Sequence, residues 1–105
     1  MTGQYVRVCA VSDMKEGDVR TVEINGRPIV LVGYDGAIYA LDDLCTHDGG
    51  SLRDGGAIGA EIVCPRHGAR FDIKTGAATR MPAVFGIKTY DVKVEGDDVY
   101  VEIEE

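Results

Sequence analysis

The sequence reads as an all-β chain, an antiparallel sandwich or barrel into which a subdomain is inserted. Short alternating apolar segments recur from end to end, which is the period of half-buried strands. They are punctuated by turn signals, among them Asn25-Gly26 and Asp35-Gly36, the dipeptides that close tight hairpins. No stretch sustains the helical period.

Taken in order, Tyr5 to Val11 reads as a strand, broken by Ser12-Asp13-Met14-Lys15-Glu16-Gly17 with room for one helical turn. Val19 to Ile24 runs into Asn25-Gly26, and Pro28 to Tyr34 returns. Asp35-Gly36 then turns the chain into Ala37-Ile38-Tyr39-Ala40-Leu41, completing an antiparallel meander. Residues 42 to 60 carry Gly49, Gly50, Gly55, Gly56 and Gly59 with little periodicity and read as loop. Glu61-Ile62-Val63 is a short strand that delivers Cys64, and Ala69 to Ile73 is another, so Cys64 to His67 fall in a hairpin-like turn. Lys74-Thr75-Gly76 turns again, and Met81-Pro82-Ala83 interrupts. Ile87 to Val94 and Asp98 to Ile103 then form a final hairpin about Glu95-Gly96-Asp97. The expected organisation is one domain over residues 1–105, with a base of 1–41 and 81–105 and an insertion of 42–80.

A chain of 105 residues has room for a modest core and none for a second catalytic domain. Hydrophobic content of 45% and charged content of 28% describe an ordinary globular protein. No apolar run approaches the roughly 18 residues of a membrane span, and the polar start Met1-Thr2-Gly3-Gln4 has no signal-peptide pattern. The expectation is a cytoplasmic protein with no membrane association. A net charge of −7 argues against nucleic acid as a partner, because phosphate binding needs clustered cations. The charge is uneven: residues 91 to 105 hold seven acids against Lys93, whereas residues 61 to 80 hold Arg66, Arg70, Lys74 and Arg80 against Glu61 and Asp72. The acidic end reads as a solvated strand face.

Cysteine usage points to metal chemistry. Cys45-Thr46-His47 and Cys64-Pro65-Arg66-His67 lie sixteen residues apart and use both histidines of the chain and two of its three cysteines. An odd cysteine count argues against a disulfide framework. Cys9, in the run Val6-Arg7-Val8-Cys9-Ala10-Val11, reads as a small buried hydrophobe. Each loop offers one thiol and one imidazole on a short segment punctuated by Gly or Pro. Such a set suits a tetrahedral zinc ion or a [2Fe-2S] cluster with two Cys on one iron and two His on the other. A zinc finger usually groups Cys with Cys and His with His, the latter on a helix, and no helix is available here. Gly49, Gly50 and Gly68 would let backbone N–H groups approach bridging sulfides, which a bare zinc ion does not require.

The two segments Cys45-Thr46-His47-Asp48-Gly49-Gly50-Ser51-Leu52 and Cys64-Pro65-Arg66-His67-Gly68-Ala69-Arg70-Phe71-Asp72 resemble the signature boxes of Rieske proteins, C-x-H and C-x-x-H. The Thr75-Gly76 turn, Met81-Pro82-Ala83 and the hairpin through Val99-Tyr100-Val101 extend the resemblance to small Rieske-type ferredoxins over almost the whole chain. The resemblance implies one [2Fe-2S] cluster, with Cys45 and Cys64 on the inner iron, His47 and His67 on the outer, and Pro82 in a shielding loop. Two ferric ions, two sulfides, two thiolates and two neutral imidazoles leave such a cluster uncharged, so it accepts an electron more readily than an all-Cys cluster. Rieske proteins of the respiratory and photosynthetic complexes carry an extra Cys in each box and a Ser after the His-Gly; here Gly50, Arg66 and Ala69 stand at those positions. Without a hydroxyl donor to stabilise the reduced form, the potential is expected at the low end of the Rieske range, about −150 to 0 mV.

Because no histidine lies outside the boxes, a His-containing catalytic iron site cannot be built, and the chain is expected not to be an enzyme. The expected function is a soluble, monomeric one-electron carrier similar to the ferredoxin components of bacterial ring-hydroxylating dioxygenase systems. Its transient partners would be an NAD(P)H-dependent flavin reductase and a terminal oxygenase, with Arg66, Arg70 or Leu52 at the contact rim. The small Rieske subunit of an assimilatory nitrite reductase, and a ferredoxin serving another oxidoreductase, are the alternative readings; a zinc-stabilised binding module is a more distant one.

Overall fold

The structure, a computed structural model, describes residues 4–43, 55–65, 68–81 and 85–103. Strand β1 (Gln4–Ala10) runs into a 3-10 turn at Val11–Asp13, and β2 (Val19–Ile24), β3 (Arg27–Tyr34) and β4 (Ala37–Asp42) form the meander. Four shorter strands follow: β5 (Ala57–Ile58), β6 (Glu61–Val63), β7 (Arg70–Asp72) and β8 (Ala78–Arg80). The chain closes with β9 (Thr89–Tyr90), β10 (Val92–Glu95) and β11 (Asp98–Ile103). The fold is all-β and antiparallel, as expected, in three sheets ordered β1-β11-β10, β2-β3-β4-β9 and β5-β6-β7-β8.

The hairpins form where the turn chemistry requires. Asn25 and Asp35 take φ of 54° each and are followed by Gly26 at 80° and Gly36 at 76°. The flanking pairs Ile24↔Arg27 and Tyr34↔Ala37 leave two-residue loops whose left-handed backbone matches strand twist. In β3 the run Ile29-Val30-Leu31-Val32 is fully buried, the mark of a strand covered on both faces. Ile29 and Leu31 pack with Val99, Val101 and Ile103 of β11, whereas Val30 and Val32 pack with Ile62, Phe71 and Ile73. The meander is therefore a middle layer between two cores. Phe71, with no exposed surface, is the largest side chain of the second core, so Phe71→Ala is expected to cost about 3–5 kcal/mol. Denaturant unfolding checks this; a loss below about 1 kcal/mol would mean that the third sheet is not packed as described.

Two expectations are corrected. The segment Ile87 to Val94, read as one strand, is two: β9 pairs with β4 in the middle sheet, and β10 pairs with β11 in the first. Between them the Asp91 carbonyl accepts the Glu102 N–H at 2.9 Å. Ile87 belongs to one core and Tyr90 to the other, so the chain changes layers here, which alternation cannot reveal. The expected loop of 42–60 contains β5, and β8 was likewise unread. Both lack apolar alternation and are strands because a neighbour pairs with them, Ala57↔Ile62 and Phe71↔Ala78.

Candidate metal centre

The β6–β7 hairpin carries Cys64, the first residue of the second expected ligand pair, just beyond its last strand pair. Val63↔Arg70 is its last strand pair, beyond which the Cys64 N–H donates to the Ala69 carbonyl at 2.7 Å and the Gly68 N–H to the Cys64 carbonyl at 3.1 Å. Gly68 has φ of 76°, a left-handed turn that glycine adopts without strain. Cys64 is a free thiol with no exposed surface, packed in the core of Val30, Val32 and Phe71. Ala69 is equally buried and brings a methyl group, with no hydroxyl, to this turn.

The turn is buttressed by the chain that returns from the first ligand loop. The Val63 N–H donates to the Gly56 carbonyl at 3.0 Å, and a Cβ on Gly55 would lie 1.7 Å from the Val63 carbonyl oxygen and 3.1 Å from Pro65 Cδ. Only glycine fits there. The β7–β8 turn is tied by Asp72 Oδ1, which accepts the N–H groups of Lys74 at 2.8 Å and Thr75 at 3.0 Å.

Toward the first ligand loop, the chain leaves β4 under several restraints. The Asp42 N–H donates to the Lys88 carbonyl at 2.9 Å and the Asp43 N–H to the Pro28 carbonyl at 3.1 Å. The Tyr90 hydroxyl donates to Asp42 Oδ1 and accepts from Arg27 Nη1, the latter at 3.1 Å. Burial, and then the hydrogen bond to Asp42, push the Tyr90 phenol above its ordinary pKa, so the hydroxyl stays protonated as a donor.

Of the four expected ligands, Cys64 is placed as described, while Cys45, His47 and His67 lie outside the described residues, as do Gly50, Leu52, Arg66 and Pro82. Among the described residues, which include one of the four expected ligands, no three metal-ligating side chains gather. A buried, unbridged thiol on a closed turn, in a chain whose sequence offers a second Cys and two His, fits a two-iron cluster by its donor chemistry. Arg70, expected at the contact rim, pairs with Glu61 at 3.3 Å and is 28% exposed, and its buried Nε has no hydrogen-bond partner among the described residues. Cys9 is buried as expected, and burial pushes its thiol pKa up. The close approach of Gly55 was signalled by the Gly55-Gly56 pair, whereas nothing in the sequence pointed to Tyr90.

The sequence matches the Rieske [2Fe-2S] domain family over residues 4–91, and the chain belongs to that family. It is 43% identical over 104 residues to the ferredoxin component of the naphthalene 1,2-dioxygenase/salicylate 5-hydroxylase systems of a Ralstonia species, covering 99% of this chain and 100% of that one. Among solved structures it resembles a ferredoxin of Sphingomonas yanoikuyae B1, with a TM-score of 0.90 at 36% identity, covering 96% of this chain and 100% of that one. It also matches a chain in the complex of reduced oxygenase and oxidized ferredoxin of carbazole 1,9a-dioxygenase, with a TM-score of 0.89 at 35% identity over 93% of this chain and 92% of that one. The chain is thus a Rieske-type ferredoxin that carries a [2Fe-2S] cluster and transfers electrons, not a catalyst in its own right.

Proposed function

We propose that this ferredoxin takes electrons singly from an NAD(P)H-dependent flavin reductase and passes them to the terminal oxygenase of a ring-hydroxylating dioxygenase system. The observation that carries the reading is near-complete overlap with the ferredoxin component of such a system, 99% of this chain and 100% of that one. Similarity to the ferredoxin–oxygenase complex supports the acceptor. The chain works as a cytoplasmic monomer of one domain, 1–105, with a base of 1–41 and 81–105 and a cluster-binding insertion of 42–80. In support, the sheet β5-β6-β7-β8 falls wholly within 42–80.

The ligands are Cys45 and Cys64 on the inner iron and His47 and His67 on the outer, and the cluster supplies one reversible one-electron site. Burial of the Cys64 side chain keeps water from its sulfur, and the backbone bonds across the turn fix the backbone that carries it. Gly55 packs against the Val63 carbonyl, one residue before Cys64, which braces the hairpin that holds Cys64. Ala69 withholds the hydroxyl that would favour the reduced state.

Reconstitution with a flavin reductase and a ring-hydroxylating oxygenase tests the assignment: NADH-dependent reduction followed by reoxidation on adding oxygenase is expected. A chain that no flavin reductase reduces, and that stays bound to a large enzyme, would instead be a fixed subunit. A redox titration is expected to give about −150 to 0 mV, and a value above about +150 mV would refute the reasoning from Ala69.

A further inference from the structure

We propose that Tyr90 is a positioning residue for the cluster: by holding the Asp42 carboxylate it fixes the point where the chain leaves the middle sheet, three residues before Cys45. This rests on Cys45 and His47 being ligands. Three strands converge on one hydroxyl, since Arg27 opens β3, Asp42 closes β4 and Tyr90 closes β9. The direction of that hydroxyl is set by a ring 8% exposed, packed beside Ile29, Leu31 and Ala40, with Lys88 Nζ 5.2 Å above it.

Backbone pairing alone secures this junction weakly. β9 meets β4 at only two residue pairs, Ala40↔Tyr90 and Leu41↔Thr89. The bonds Asp42 N–H to Lys88 and Asp43 N–H to Pro28 lie at the very end of the ladder, where strands fray first. A bond from a buried phenol to a carboxylate is of the charge-assisted kind, stronger than a neutral pair. It joins the end of β4 to an element anchored in the core between the first and middle sheets, and Asp43, the next residue, is itself buried.

The test is made on the holoprotein. Tyr90→Phe keeps the ring and deletes the hydroxyl, and Asp42→Asn keeps the shape and weakens the acceptor. Both are expected to retain a [2Fe-2S] absorption spectrum while losing iron to a chelator about tenfold faster, the factor that one hydrogen bond to a charged group governs. The amides of Asp42 and Asp43 should exchange faster by a similar factor, those of β11 should not, and the EPR g values of the reduced cluster should shift. Val101→Ala, a cavity in the same core, is the control for stability alone: β11 amides should exchange faster there, with unchanged g values. Wild-type iron release and g values in Tyr90→Phe would overturn the proposal, as would a variant that merely reproduces Val101→Ala. A Cys45→Ala protein that keeps the wild-type spectrum would overturn it at its root, by removing Cys45 from the ligand set.

Discussion

Cys64→Ala is expected to yield protein without a [2Fe-2S] cluster, its iron content near background and its visible and EPR signals absent. The substitution removes one of the two proposed thiolate ligands, and among the described residues the neighbours of Cys64 in its core are Val30, Val32, Ala69, Phe71 and other apolar side chains, none of which can replace it. Alanine matches the burial of the site, so the meander should still fold and the far-ultraviolet spectrum should stay that of a β protein. The loss therefore separates ligand chemistry from packing. Stability should fall as well, because ligand–metal bonding in a small domain contributes to folding. Iron quantitation with EPR of the dithionite-reduced protein reads the result, and a cluster kept at full occupancy would remove Cys64 from the ligand set.

Gly55→Ala should be nearly as damaging although Gly55 is not itself an expected ligand. The added methyl would sit 1.7 Å from the Val63 carbonyl oxygen and 2.7 Å from its carbon, so β6 and the returning chain must separate. Such overpacking costs about 1–3 kcal/mol and at this distance belongs at the upper end. The displacement falls one residue from Cys64, so cluster occupancy should drop together with the melting temperature. Gly56→Ala is the informative comparison. Gly56 has φ of 73° with nothing within 4 Å of its missing Cβ, so the cost there is backbone strain alone, about 1–2 kcal/mol. If both variants keep equal iron and melt together, steric contact with Val63 is not what holds the second ligand loop.

Much of the fold was legible because its hairpins are encoded locally. Asn25-Gly26 and Asp35-Gly36 specify left-handed two-residue turns, and the register Val19↔Val32 through Ile24↔Arg27 follows from them. The run Ile29 to Val32 announced a strand, though not that each of its faces would meet a different core. The candidate ligand pairs stand out for another reason: metal chemistry restricts residue type and spacing so tightly that Cys-x-His and Cys-x-x-His rise above any background. What stayed hidden depends on neighbours distant in sequence. β5 and β8 have no pattern of their own, and the split of Ile87 to Val94 between two sheets is decided by β4 and β11. The ion pair of Arg70 with Glu61, nine residues away, is likewise set by the pairing of β6 with β7.

The sequence by itself determined the β class and the turns and nominated a donor set, because each is a property of residue type over a few positions. Ala69, which has no hydroxyl, likewise carries the expectation of a low potential. Only the tertiary structure decided that the meander is a middle layer, that Gly55 presses against the strand before Cys64, and that Tyr90 reaches across to Asp42. Those are contacts between segments whose separation along the chain carries no pattern, and they form only because packing brings the segments within ångströms of one another.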